Sequence, residues 1–243
     1  MELYNSIIRD TLSLLSSYTP RNLRVHDEVS WEMCESNELI LSKDAAFELG
    51  ANRLPSVNYS CVTTSEELVE RDKILLYGED LDEIKKDVSF ARIVLININN
   101  LGDDDKAYKT IKNLDYVKYD IIPKGYMIRA SSFDKREQVR VSKEAVSKAI
   151  NFETIGNLYI NKLKEDKLVR AVTVIFITEN IQEFKALTQY ANKIYEITQT
   201  LNHVLNNMNL DCKSCSLKSI CDEVEGMREL HSKQWKENIG KSN

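Results

Sequence analysis

The run LVRAVTVIFITE, residues 168–179, constrains the fold of this chain more than any other stretch. Val172, Val174, Ile175, Phe176 and Ile177 are β-branched or aromatic, and the one polar residue among them, Thr173, is β-branched too. Such side chains suit a pleated strand and are stiff at χ1 in a helix. A strand that is apolar on both faces has to be covered on both. The run therefore predicts a central, doubly covered strand, which requires further strands beside it and helices above and below. A chain of 243 residues, 42% hydrophobic and 29% charged, is large enough to supply them.

Upstream, ELILSKDAAFELG (closed by Gly50), PSVNYSCVTT and KILLYGEDLDEI provide strand material, and ARIVLININN shows the near alternation of a half-buried strand. In YDIIPKGYMIRA the turn Pro123-Lys124-Gly125 separates two short apolar runs and predicts a hairpin. Ser142 is placed to cap a helix carrying Ala145, Val146 and Ile150 on one side. The opening MELYNSIIRDTLSLL has Leu3, Ile7, Ile8, Leu12 and Leu15 at helical spacing. From about Gln182, Phe184, Leu187, Tyr190, Ile194, Ile197, Leu201, Val204 and Met208 recur at threes and fours, the stripe of a long core-facing helix. His203 lies off that stripe, on the surface side, and Asp103 to Asp105 form a solvated loop. The predicted class is α+β: a mixed β-sheet packed with helices, followed by a long helix and a C-terminal Cys-rich metal-binding appendage. Residues 1–40 form an N-terminal helical segment, 41–210 the α+β domain and 211–243 the Cys-rich segment.

A formal net charge of −5 argues against a nucleic-acid partner, which needs a basic stripe to displace counterions. Glu2, Arg9 and Asp10 break the first apolar helix, so it is neither signal peptide nor membrane span. Cysteine occurs an odd five times, unlike a secreted disulfide framework. These features predict a cytoplasmic protein with reduced thiols.

The segment LDCKSCSLKSICDEVEGMRELHSK places Cys212, Cys215, Cys221 and His231 in the pattern C-x2-C-x5-C-x9-H. Two thiolates two residues apart can meet one metal centre from a single tight turn, and a third Cys with a nearby His completes four ligands. Zinc, an iron-sulfur cluster and a redox dithiol remain open. Structural zinc usually draws two well-separated ligand pairs, whereas one compact run is more typical of iron-sulfur ligation. A redox dithiol sits at a strand-to-helix junction, and Cys212 instead follows a long helix. Cys61 or Cys34 could stand in for His231; otherwise both read as buried, inert thiols.

The stretch QVRVSKEAVSKAINFETIGNLYINKLKEDKLVRAVTVIFITENIQEFKAL, with the cysteine run after it, resembles the acetyl-CoA synthase subunit (beta subunit) of the carbon monoxide dehydrogenase/acetyl-CoA synthase complex. AAFELG and LYGEDLDEI resemble that family's AFEL and GPDLDD segments, so the likeness runs from Lys43 to His231. The resemblance implies a [4Fe-4S] cluster on Cys212, Cys215 and Cys221. It implies the fourth ligand at His231, because the family's fourth cysteine follows its third at the interval that separates Cys221 from His231. It also implies a redox, sensing or accessory role linked to CO, corrinoid or acetyl-CoA metabolism, and a protein partner that handles corrinoid or CO. The alternative is a noncatalytic interaction module with a structural zinc. The family's nickel-binding Cys-Gly-Cys does not occur in this sequence, so the chain is not expected to make acetyl-CoA by itself. Gln138 stands where the family has a Trp in its CoA-associated domain. Lys135, Arg136, Arg140 and Lys143 give that region a basic local surface that could meet phosphates, although a solvated helix entry is the favoured reading.

Overall fold

The computed structural model describes residues 2–36, 38–51, 53–100, 104–130 and 136–205. The chain enters through α1 (Glu2–Leu15) and β1 (Arg21–Leu23), crosses a long irregular segment, and continues with β2 (Ala45–Leu49), β3 (Ser56–Thr63), β4 (Lys73–Tyr77) and β5 (Phe90–Ile98). Next come α2 (Asp104–Tyr116), β6 (Tyr126–Ala130), β7 (Glu137–Ser142) and the short α3 (Lys143–Ser147). The last described elements are α4 (Phe152–Lys164), β8 (Val169–Ile177) and α5 (Phe184–Leu205). The architecture is mixed α and β, as predicted.

Five strands make a mixed sheet in the order β1-β4-β8-β5-β3, which puts the LVRAVTVIFITE strand at its centre. β8 is parallel to β4 and antiparallel to β5, and β3 is parallel to β5. The other three strands form an antiparallel sheet in the order β2-β7-β6.

Successive side chains on a strand point to opposite faces, so a few contacts identify what covers each side. The Phe152 ring of α4 lies 4.5 Å from Phe176 and 6.2 Å from Phe90. The face with Ile74, Phe90, Arg92, Val174 and Phe176 therefore meets α4. On the opposite face the Tyr59 hydroxyl pairs with Thr11 of α1 at 2.8 Å, and Tyr4 of α1 with Thr198 of α5 at 3.2 Å. Both faces are closed. For that reason all nine residues of β5 are buried, against the half-buried strand that its alternation predicts. Arg92 and Asn97, the polar residues behind that alternation, are internal too.

Helix α4 is started by Asn151, whose side chain accepts from Thr154 N at 2.8 Å, and by Asp80, whose Oδ1 accepts from Phe152 N at 2.8 Å. Glu153 in its first turn and Lys162 and Lys164 in its last complement the helix dipole. Helix α5 buries Phe184, Leu187, Ile194 and Ile197 of the predicted stripe, with Ala191 beside them, while Tyr190 is only half-buried against the core.

Three local expectations are corrected. The turn at Pro123–Gly125 does not close a hairpin: β6 pairs with β7, and Pro123 makes only an isolated bridge to Met33. The five residues of β6 find a matching five-residue partner in β7, while the run before the turn offers a single bridge. Ser142 caps its helix, accepting from Ala145 N at 3.0 Å, but α3 ends at Ser147. Ala149 takes the left-handed conformation (φ 62) and Ile150 N turns back to Ala145 O at 3.1 Å, so Ile150 anchors the link into α4. Finally, Asp104 and Asp105 open helix α2 and do not lie in a loop. Acidic residues before KAYKTIKNLDY are a helix-start signal.

Gly156 of α4 lies flush on β4. A Cβ there would meet three side-chain atoms of Ile74 at 2.8–2.9 Å. Alanine would gain about 1 kcal/mol of helix propensity, yet overpacking against a β-branched side chain costs typically 1–3 kcal/mol. Gly156→Ala is expected to lower the urea midpoint, and Gly156→Ala combined with Ile74→Val to recover part of the loss. A midpoint raised by the single substitution would contradict the close packing.

Candidate functional site

The three-stranded sheet divides its residues by register. Tyr126, Ile128, Glu137, Val139 and Val141 share one face, with Phe47 and Leu49 opposite Val141 and Val139. Met127, Arg129, Gln138 and Arg140 share the other face, with Glu48 opposite Arg140. Tyr126, Glu137, Val139 and Val141 of the first set are buried, while Glu48, Arg129, Gln138 and Arg140 of the second line a polar groove and Met127 is covered.

That groove has a volume of 540 Å³ and is bordered by Ser42, Phe47, Glu48, Asp87, Arg129, Gln138 and Arg140, among others. Glu48 is held between two guanidinium groups. Its Oε1 accepts from Arg140 Nε at 2.6 Å and its Oε2 from Arg129 Nη2 at 3.1 Å. Arg140 also donates to Ile40 O at 2.6 Å, and Asp87 accepts from Glu48 N at 2.8 Å. Two arginines and two carboxylates leave the groove with no net charge.

The basic residues of this region serve as ties within the fold. Arg136 Nη2 donates to Gly50 O and Leu54 O, both at 3.0 Å, and Lys143 Nζ donates to Lys43 O at 2.9 Å. With Arg140 on Glu48, three of the four cations are engaged; Lys135 lies outside the described residues. Arg136 and Arg140 are half-buried on protein partners, which differs from a fully solvated helix entry, whereas Lys143 stays exposed.

Beneath the groove, Glu137 meets Arg92 of the five-stranded sheet. Arg92 Nε and Nη2 donate to Glu137 Oε1 and Oε2 at 2.7 and 2.5 Å, a fork-to-fork pair with both side chains sealed from solvent. Burial works against the guanidinium charge, but the facing carboxylate more than offsets it, and Arg92 holds its proton more tightly than usual. The Ser56 hydroxyl, from β3, donates to Glu137 O and accepts from Glu137 N at 3.0 Å, fixing the backbone as well.

Cys212, Cys215, Cys221 and His231 lie outside the described residues, and His203 falls within α5 without a described side chain. As a donor set, three thiols and an imidazole suit iron or zinc. The two substitutes are placed. Cys61 sits inside β3, fully buried, and burial, with Asp115, pushes its thiol far above the usual range. Cys34 is only half-buried, which corrects its reading as a core thiol; its Sγ lies 4.0 Å from Glu38 Oε2, and burial followed by that carboxylate raises its pKa. Among the described residues no group of three or more His, Cys, Asp or Glu side chains could hold a metal. No described helix is long and apolar enough to cross a membrane.

The buried Arg92–Glu137 pair and the internal charge balance of the groove escaped sequence reasoning. Arg92 sits within an apolar run, the one sequence signal of a buried, partnered charge.

Residues 29–182 match the family model described as CO dehydrogenase/acetyl-CoA synthase complex beta subunit. The chain is also similar to the carbon monoxide dehydrogenase/acetyl-CoA synthase subunit alpha of Moorella thermoacetica, with 27% identity over 146 residues. That alignment covers 58% of this chain and 19% of the relative, so the chain spans a minor part of the protein it matches. The family match includes both sheets' strands from β2 to β8 and ends before α5 and the cysteine run.

Removing one member of a buried ion pair strands the other charge and costs about 3–5 kcal/mol, whereas replacing both by apolar groups is often near neutral. Arg92→Met and Glu137→Met are each expected to cost stability in that range, and the double variant to lose less than either single one. Urea unfolding of the three variants checks this; a double variant as unstable as the sum of the singles would refute the coupling.

Proposed function

Because the chain belongs to the family of the CO dehydrogenase/acetyl-CoA synthase complex beta subunit, we propose that it is an acetyl-CoA-synthase-like iron-sulfur protein. It holds one [4Fe-4S]-type cluster through Cys212, Cys215, Cys221 and His231, in a redox, sensing or accessory role. The observation that carries this reading is the position of the compact ligand run C-x2-C-x5-C-x9-H directly after the α5 region. Helix α5 is anchored on the five-stranded sheet through Leu187, Ala191, Ile194 and Ile197 and tied to α1 by the Tyr4–Thr198 hydroxyl pair.

A cluster bound there supplies one-electron chemistry whose potential depends on its ligands. Three thiolates bring negative charge and the imidazole brings none, so His231 sets a higher potential than a fourth cysteine would. The ligands bind as thiolates and neutral imidazole, which makes retention weaker in acid. The natural setting is the cytoplasm, beside a protein that handles corrinoid or CO. Acetyl-CoA formation is not assigned to this chain, since no Cys-Gly-Cys occurs among its 243 residues.

Protein purified without oxygen is expected to be brown, with iron and acid-labile sulfide in stoichiometric amounts. Cys212→Ser and Cys215→Ser should lose the colour. His231→Cys should keep it and lower the reduction potential, because an anionic donor replaces a neutral one. Colourless protein carrying one equivalent of zinc would replace this reading with a zinc-stabilised interaction module.

A further inference from the structure

The space between the two sheets has more hydrogen-bonding capacity than its own side chains use. Arg92 spends Nε and Nη2 on Glu137, and among the described residues its buried Nη1 has no partner. The hydroxyls of Tyr159 and Tyr126 are buried and unpartnered in the same sense. All three belong to one neighbourhood. The guanidinium carbon of Arg92 stands 4.9 Å from the centroid of the Tyr159 ring. Tyr126 shares the inner face of the three-stranded sheet with Glu137, and burial together with that carboxylate pushes its phenol well above the usual range.

The chemistry of these atoms selects the guest. Nη1 can only donate, while each phenol oxygen can donate once and also accept. Arg92 and Glu137 already neutralise one another, so an anion would arrive as an unpaired buried charge. An apolar molecule would leave all three groups unmet. A water molecule accepts from Nη1 and still exchanges hydrogen bonds with the phenols, as buried waters do with about three otherwise unsatisfied groups. One water can bridge two such groups through two hydrogen bonds of about 2.8 Å each.

We propose that an internal water site lies between Arg92 Nη1 and the Tyr159 hydroxyl, with Tyr126 as a further partner. The joint between the sheets is then a hydrated polar centre. The water completes the shell of Arg92 and so holds the fork that orients Glu137. Through β7 that same residue sets where its neighbour Gln138 stands at the groove.

A crystal structure of the full chain, from native and bromide-soaked crystals, tests this. The expected result is an ordered water within hydrogen-bonding distance of Arg92 Nη1 and the Tyr159 hydroxyl, with no bromide anomalous peak there. A dry gap, a direct bond from Nη1 to a protein oxygen, or a bromide peak would each overturn the proposal. In Tyr159→Phe, with folding checked by circular dichroism, the water should be lost or shifted towards Tyr126. Density unchanged in position and occupancy would remove Tyr159 from the site.

Discussion

A guanidinium and a carboxylate, both withdrawn from water, tie the two sheets of this protein together. Arg92 comes from β5, second from one edge of the five-stranded sheet, and Glu137 opens β7, the middle strand of the smaller one. Neither charge is tolerable in the interior alone, so each requires the other at bonding distance. The two-pronged geometry demands alignment as well as proximity, and the Ser56 bridge to the backbone of Glu137 restricts it further. A slip of β7 by one residue would turn Glu137 out to solvent and bring Gln138 inward. The register of the smaller sheet is therefore tied to the position of a single buried cation.

From that register the character of the outer face follows. With Glu137, Val139 and Val141 inward, Gln138 and Arg140 must point outward, and the antiparallel partners Glu48 and Arg129 fall beside them. The arginines of this face have a carboxylate and carbonyls as neighbours, so its basic composition does not make a basic surface. Local counts of lysine and arginine overstate the field that a ligand would meet when the partners come from strands distant in sequence.

The helical layers link the sheet to the segment in which the proposed cluster ligands lie. α4 covers the face bearing Phe90 and Phe176, and α1 and α5 cover the face bearing Tyr59. α5 is the last described element before the cysteine run. Its apolar stripe is continuous with the core.

Much of this was legible in the residues themselves. The β-branched run at 168–179 determined a central strand because nothing else buries two apolar faces of one extended segment. The stripes of α1 and α5 and the Ser142 cap are likewise local patterns set by neighbours within a few residues. Tertiary structure alone decided that β5 is buried throughout, that β6 joins β7 in place of a hairpin at Pro123, and that Arg92, Arg136 and Arg140 point at internal partners. Each of these depends on a contact between residues far apart in the chain, Arg92 with Glu137 or Arg140 with Glu48. An apolar run around Arg92 signals burial, but no charged side chain carries a mark in the sequence of which residue on another strand supplies its countercharge.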